Sequence, residues 1–311
     1  MSFSNDVKNE LTRLEDIKPC CQKAELFGLL KLSGAVSLTG SGIGIKFSTE
    51  NAALARHALH LLKDNFNVQT EVIVTRSRRL KKNNKYQVQV IPNKEVRVAL
   101  QDLKLLEPVM EGKKHLLGKQ CCRKAFLRGA FLAGGSVSKP VSDYHLELVT
   151  ESEDIALLLQ KNMQGFSLPA KITDRKRDYV VYLKEGDAIT DFLSVIGAHH
   201  ALLEFENIRV VKEMRNNVNR RVNCETANLG KIVQAAVRQL NAIKYIDEVS
   251  GISKLSEPLR EAARLRQEYP ESSVQELAQL AQDQPSKSGF NHRLRRLEYI
   301  ATKLGMEEEN V

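Results

Sequence analysis

The fold of this 311-residue chain is decided by a segment that occurs twice, CCQKAELFG at residues 20–28 and CCRKAFLRG at residues 121–129. Each position of the second copy lies 101 residues after its counterpart, and the register continues beyond the quoted segment. Gly34 falls on Gly135, and a Thr-Glu pair follows at residues 49–50 and again at 150–151. This pattern indicates one duplication of a unit of about one hundred residues, and not a solenoid.

Both copies show the same order of predicted elements. A small-residue-rich apolar helix (residues 24–36 and 125–137) precedes a pair of strands, an amphipathic helix and a second pair of strands. We expect Thr49 and Thr150 to cap the amphipathic helices, because a hydroxyl can accept from the unpaired amides of a first turn. The sequence therefore predicts an α+β fold: a duplicated αββαββα module with pseudo-twofold symmetry, followed by an all-α domain.

The carboxy-terminal third loses the repeat and becomes helical. Residues 209–225 are polar and basic and indicate a linker, or a helix that joins domains, so we place the domains at 1–208 (copies at about 20–106 and 121–202) and 226–311. Ser273 and Glu276 form a capping-box pattern, and Pro285 and Gly289 lie in the polar turn that follows. A short helix, a tight turn and a basic helix predict a helix-turn-helix motif.

The second helix of this motif carries the main candidate site. Arginine can bind guanine with two hydrogen bonds, asparagine can pair with adenine, and hydroxyl and ammonium groups suit phosphate. The candidate DNA-binding residues are Ser286, Lys287, Ser288, Asn291, His292, Arg293, Arg295 and Arg296. The alternative is that these arginines form only a solvated helix face.

A second candidate surface lies at a predicted hairpin of the first copy. Six basic residues and no acid occur in ten positions there, namely Arg76, Arg78, Arg79, Lys81, Lys82 and Lys85. The equivalent hairpin of the second copy contains Arg175, Lys176 and Arg177. Such a run is commonly a solvated loop. On a sheet face it would contact the phosphate backbone without reading the base sequence.

The composition of the chain limits the kinds of partner that it can bind. The chain carries 47 basic and 38 acidic residues, a net charge of +9, which favours a polyanionic partner. No run of about 18 apolar residues is available to span a bilayer, and the first residues lack the order of a secretory signal. We expect a cytoplasmic protein with neither a membrane nor a small-molecule substrate as partner.

The cysteines predict neither a disulfide framework nor a metal site. Their number, five, is odd, and four of them form the adjacent pairs Cys20-Cys21 and Cys121-Cys122. Adjacent cysteines lack the C-x2-C spacing with which two thiolates of one segment bind one zinc ion. We therefore predict no metal and no other cofactor.

Residues 26–34 and 127–135 resemble two eroded copies of the LAGLIDADG motif of homing endonucleases. With the segments 286–289 and 291–295, the whole chain resembles the WhiA family of bacterial DNA-binding regulators. The resemblance implies the helix arrangement of the endonucleases. In those proteins, two such helices pack on a pseudo-twofold axis, and each ends in an acidic residue that holds a divalent metal. Ser33 and Gly134 stand at those positions here, so they are degenerate catalytic positions and we expect no enzyme activity.

The predicted function is a non-catalytic, nucleoid-associated transcription regulator that binds double-stranded DNA and has the transcription machinery as a further partner. The family resemblance implies roles in sporulation, cell division and chromosome segregation. One alternative is a divalent-metal-dependent DNA endonuclease that uses acids outside the motif. Another is an RNA-binding or protein-docking module, which would show no preference for duplex DNA.

Overall fold

The computed structural model describes residues 2–15, 18–39, 42–76, 84–141 and 143–306. The chain divides into two compact units, Met1–Glu213 and Met214–Val311. None of the helices among these described residues is long and apolar enough to cross a membrane.

The first unit contains the duplicated module, preceded by one short helix. Its helices are α1 (Phe3–Leu11), α2 (Pro19–Ser33), α3 (Ala52–Phe66), α4 (Lys94–Asp102), α5 (Val109–Leu116), α6 (Gln120–Gly134), α7 (Glu153–Gln164) and α8 (Gly186–Ile196). Its strands are β1 (Gly34–Thr39), β2 (Gly42–Thr49), β3 (Thr70–Arg76), β4 (Asn84–Val90), β5 (Gly135–Val137), β6 (Leu146–Thr150), β7 (Lys171–Arg175) and β8 (Asp178–Leu183).

Each copy of the repeat forms a four-stranded antiparallel sheet. The strand orders, β1-β2-β4-β3 and β5-β6-β8-β7, are equivalent, which confirms the predicted αββαββα module. Side chains alternate across each strand, so Ile45 and Phe47 of β2 are buried against the helices while Lys46 points to the outer face. The buried residues of the two sheets and their helices form one hydrophobic core.

Helix α6 lies 101 positions after α2 in the sequence, which is the displacement of the repeat. The two helices pack closely against each other. A Cβ atom at Gly28 would lie 2.5 Å from the carbonyl oxygen of Phe126, and one at Gly129 would lie 2.1 Å from that of Glu25. The two backbones can approach this closely only because both contact positions are glycine.

The prediction that Thr49 and Thr150 cap the amphipathic helices was wrong. The N-cap of α3 is Asn51, whose side chain accepts from two first-turn amides, and the N-cap of α7 is Ser152. Both threonines are instead the last residues of their strands, and each accepts a hydrogen bond from the amide of the following N-cap residue. A capping side chain must directly precede the first turn, and the strands extend too far for threonine to do so.

A 51-residue helix, α9 (His199–Val249), passes from the first unit into the second. Residues 209–225 are helical throughout. The apolar residues of α9 after residue 226 are only partly buried. Leu229 is 61% exposed and Val233 is 51% exposed, whereas Ala242 and Ile243 lie in the core of the second unit.

The second unit is helical, as the periodicity predicted. After α9 and a 3-10 turn (Ile252–Lys254) come α10 (Glu257–Glu268), α11 (Val274–Leu280) and α12 (Lys287–Lys303). Ser273 and Glu276 form the predicted capping box of α11, and the Ser286 hydroxyl accepts from the Gly289 amide to cap α12. Residues from all four helices share one core.

Candidate nucleic-acid interface

Helix α12 is anchored in the second unit by one apolar side. Phe290, Leu294, Leu297 and Ala301 are fully buried, at the i, i+4, i+7 and i+11 spacing that places residues on one side of a helix. The short α11 packs beside it, and the segment 281–286 joins the two helices. This arrangement fixes the orientation of the opposite side of α12.

The opposite side of α12 is basic and accessible. His292, Arg295 and Arg296 are exposed, and at about 100° per residue they point away from the buried side. The Arg296 guanidinium lies 5.1 Å from the ring centroid of Tyr299, which is itself 47% exposed. The structure therefore presents two arginines and one histidine outward on the helix, and their contact with DNA stays a prediction.

The amino-terminal ends of α11 and α12 border one shallow depression. Val274, the first residue of α11, lines it together with Ser286, Lys287, Ser288 and Asn291. The hydroxyl oxygens of Ser286 and Ser288 lie 2.9 Å apart. Helix amino termini carry partial positive charge, so a lysine, two hydroxyls and backbone amides here favour an anionic oxygen.

Arg293 does not share this outward orientation. Its side chain is 15% exposed and forms ion pairs with Asp283, in the turn before α12, and with Glu261 of α10 at 3.7 Å. The hydrogen bond from Arg293 lowers the pKa of the Asp283 carboxyl, and the same bond raises the pKa of the guanidinium. The prediction that Arg293 contacts DNA therefore does not match its placement, which is that of a residue holding the turn against α10.

The sequence contained a signal for this placement of Arg293. It lies three residues after Phe290 and four before Leu297, both fully buried, so it must stand at the edge of the buried side.

The basic run of the first copy is only partly described. Arg78, Arg79, Lys81 and Lys82 lie outside the described residues. Arg76 pairs with Asn84 and Lys85 pairs with Thr75 between β3 and β4, so Arg76 and Lys85 occupy adjacent rungs. Because side chains on adjacent rungs point to opposite faces, Lys85 lies on the outer face and Arg76 on the helix-facing side. Of these two residues, Lys85 is therefore the one on the outer sheet face, and contact of either with DNA stays a prediction.

The corresponding surface of the second copy has mixed charge. Lys176 and Arg177 form the exposed tip of the β7–β8 hairpin. Arg175 pairs with Asp178 across the hairpin, and the Glu147 carboxylate also lies on the outer face, where it accepts from Ser136. The described part of the sheet surface is therefore less basic than the run of residues suggested.

The two degenerate catalytic positions end equivalent helices. Ser33 is the last residue of α2, and its hydroxyl donates to the Leu29 carbonyl at 3.0 Å. Gly134 is the last residue of α6, where a Cβ atom would lie 2.5 Å from the carbonyl oxygen of Val149. Neither position offers a carboxylate, and position 134 has no space for one without a backbone shift.

Glu25, the one acid within the two repeated segments 20–28 and 121–129, has a structural role. Glu25 is fully buried, forms an ion pair with Arg128 of α6 (2.8 Å) and is hydrogen-bonded to His57 of α3 (2.7 Å). The Arg128 guanidinium also donates to the carbonyl oxygen of Ile196. Eight residues of helix separate Glu25 from Ser33, a rise of about 12 Å, so Glu25 cannot supply the missing carboxylate.

The structure also brings together four cysteines whose sequence spacing did not predict a shared site. The Sγ atoms of Cys20, Cys21, Cys121 and Cys122 all lie within 4.8 Å of one another. The prediction of no metal site considered each adjacent pair by itself, and it missed that α2 and α6 bring the two pairs together. The detectable signal was the equal 101-residue displacement of both pairs on paired helices.

The two units define a class of protein in which a duplicated, LAGLIDADG-like module is joined to a helix-turn-helix domain. Three family models match the chain: the WhiA N-terminal LAGLIDADG-like domain at residues 19–106, the WhiA LAGLIDADG-like domain at 123–215 and the WhiA C-terminal HTH domain at 218–301. The chain belongs to the WhiA family.

Individual relatives match over nearly the whole chain. A protein named "Probable cell division protein WhiA" from Alkaliphilus metalliredigens is 46% identical over 97% of this chain and 98% of its own length. A protein with the same name from Clostridium beijerinckii is 47% identical over 98% of this chain and 99% of its own length. The crystal structure of full-length DUF199/WhiA from Thermatoga maritima, 27% identical, covers 99% of this chain and 100% of that chain with a TM-score of 0.61.

Proposed function

We propose that this chain is a non-catalytic transcription regulator that binds double-stranded DNA through its helix-turn-helix domain. The observation that carries the proposal is the basic face of α12, which is exposed directly opposite a fully buried apolar side. A helix held in this way can enter the major groove of B-form DNA, which is wide enough to admit it.

The exposed residues divide by chemistry into two proposed roles. Arg295 and Arg296, with His292 beside them, would read base edges, and Tyr299 would restrict the orientation of the Arg296 guanidinium. Lys287 and Asn291 stand at the start of the helix, where they border the depression that suits a phosphate oxygen. Arg293 is left out of this set because its charge is already paired within the domain.

The first unit would add phosphate contacts that do not depend on base sequence. Its candidates remain the run from Arg76 to Lys85, although the described ends of that run point to opposite faces. Two modules on one chain bind with a raised effective concentration, so weak contacts by the first unit would strengthen binding by the second.

Hydrolysis of DNA is not part of the proposal. Phosphodiester cleavage with Mg²⁺ requires oxygen ligands at the metal, and Ser33 and Gly134 supply no carboxylate. Within the described ranges, the one group of three or more His, Cys, Asp or Glu side chains close enough to share an ion is the cysteine group. Cutting of plasmid DNA in Mg²⁺ or Mn²⁺ that a chelator abolishes would instead support the endonuclease alternative.

The names of the relatives suggest the cellular process. They are called probable cell division proteins, and we propose that this chain also acts in cell division, with sporulation and chromosome segregation as related processes. A regulator of this kind would work on the nucleoid and would contact the transcription machinery.

Footprinting on genomic fragments tests the proposed function. The double variant Arg295→Ala, Arg296→Ala is expected to lose specific protection by at least about tenfold, because each two-bonded arginine contact discriminates by about 1–3 kcal/mol. Arg238→Ala is the matched control, since Arg238 is an exposed arginine of the same unit but lies on α9. Specific protection that is equal for the double variant and the control would refute the assignment of α12 as the reading helix.

A further inference from the structure

The four cysteines at one end of the paired helices form a compact, symmetric group. Cys20 and Cys21 lie in the first turn of α2, and Cys121 and Cys122 lie in the first turn of α6. All four Sγ atoms are within 4.8 Å of one another, although the two pairs are 101 residues apart in sequence. All four are free thiols.

We propose that these four cysteines bind one tetrahedral metal ion of the zinc class. Zinc with four thiolates has Zn–S bonds of about 2.3 Å, which places the sulfur atoms about 3.8 Å apart. The observed separations require a contraction of no more than about 1 Å to reach this geometry. An iron–sulfur cluster would place several irons and sulfides between the thiolates, so the compact group favours a single ion.

Two features at the helix amino termini would partly offset the negative charge of thiolates bound to a metal. Both pairs lie at helix amino termini, where the helix dipole stabilises an anion. The residues just before the two helices are Lys18 and Lys119, and neither helix has a side-chain cap that would occupy its first amides. A tetrathiolate zinc centre carries a net charge of about −2, which these two features would partly offset.

Convergence of all four sulfurs distinguishes this site from a disulfide. A disulfide joins two sulfurs at about 2.05 Å and gives no reason for the other two to gather at the same point. Cys21 and Cys122 are buried, whereas Cys121 is exposed, so the ion would sit at the edge of the core and cross-link the first turns of α2 and α6.

Metal analysis of the reduced full-length protein tests the site. Protein expressed with ample zinc is expected to release one zinc per chain to a chromophoric chelator once a mercurial reagent blocks the thiols. After exchange, Co²⁺ is expected to give intense sulfur-to-cobalt charge-transfer bands and the visible bands of tetrahedral coordination. Cys21→Ser and Cys122→Ser should each weaken Co²⁺ binding by at least about 100-fold, because even second-shell changes cost about 10–100-fold.

The chain supplies a matched control in its fifth cysteine. Cys224 is exposed on α9 and is not a member of the four-cysteine group, so Cys224→Ser should bind metal as the unchanged protein does. Cys121→Ser removes an exposed ligand and should keep the fold, which separates loss of the metal from loss of structure. Absence of the cobalt–thiolate bands in the reduced unchanged protein would overturn the proposal, and so would undiminished binding by the folded Cys121→Ser variant.

Discussion

The buried pair Glu25–Arg128 offers a quantitative test of how α2 and α6 are joined. Glu25 is fully buried and the Arg128 side chain is 10% exposed, so neither charge can be compensated by water if its partner is removed. Arg128→Met leaves the Glu25 carboxylate with His57 alone. Breaking a buried ion pair by removal of one partner costs about 3–5 kcal/mol of the free energy of unfolding.

The cost should appear as a large fall in melting temperature. For a unit of about 200 residues, 1 kcal/mol corresponds to about 2–4 °C, so Arg128→Met should lower the Tm of the first unit by about 6–20 °C. Thermal unfolding followed by circular dichroism, together with urea denaturation, measures this change. DNA binding by the second unit provides an independent check that the rest of the chain is intact.

A double-mutant cycle decides whether the two charges act as a pair. In the second copy the counterpart of Glu25 is Phe126, and in the first copy the counterpart of Arg128 is Phe27, so the module accommodates apolar side chains at both positions. The double variant Glu25→Leu, Arg128→Met should therefore cost at least about 2 kcal/mol less than the sum of the single variants. Additive losses, or a loss below about 1 kcal/mol for Arg128→Met alone, would refute the reasoning.

Three further outcomes are expected. Gly129→Ala should destabilise the first unit, because the new methyl group would lie 2.1 Å from the carbonyl oxygen of Glu25; an unchanged Tm would contradict this. Lys287→Ala should weaken binding to all DNA sequences alike and reduce the salt slope by about 1, as measured by titration at several salt concentrations. The hydrogen bond from Arg293 lowers the pKa of the Asp283 carboxyl in the folded state. The ionised carboxyl therefore stabilises the folded protein at pH values above the pKa of an unfolded aspartate, which is about 4, and this contribution is lost as the pH falls through the folded-state pKa. Arg293→Ala should thus be less stable than the unchanged protein at neutral pH, and the difference should shrink on acidification; a constant difference in urea midpoints from pH 7 to pH 3 would exclude the linkage.

Periodicity and repetition predicted the fold because they depend on short-range geometry. The 101-residue displacement defined two equivalent modules, and the apolar spacing around Phe290 and Leu294 defined the buried side of α12. The orientation of Arg293 was missed because its partners, Asp283 and Glu261, lie 10 and 32 positions away, and only the packed domain brings the latter close.

Strand register and helix pairing explain the other differences. Arg76 and Lys85 are close in sequence, yet a pairing shifted by one rung places them on opposite faces, and this pairing cannot be read from composition. The cysteine pairs present the reverse case. They are distant in sequence, and only the contact between α2 and α6 brings their four sulfurs within 4.8 Å.

The two copies differ in sequence at one end of the α2–α6 pair and are identical at the other. This difference indicates which end of the helix pair has kept a functional requirement. At the carboxy-terminal ends the equivalent residues are Ser33 and Gly134, which differ from each other and share no ligand atom type. At the amino-terminal ends both copies keep an identical adjacent pair of cysteines. Core packing does not require this identity, because packing tolerates Glu25 opposite Phe126 and Phe27 opposite Arg128 along the same helices. A requirement that acts on all four thiols at once, as one tetrahedral ion would, explains why this end has stayed symmetric while the other has not.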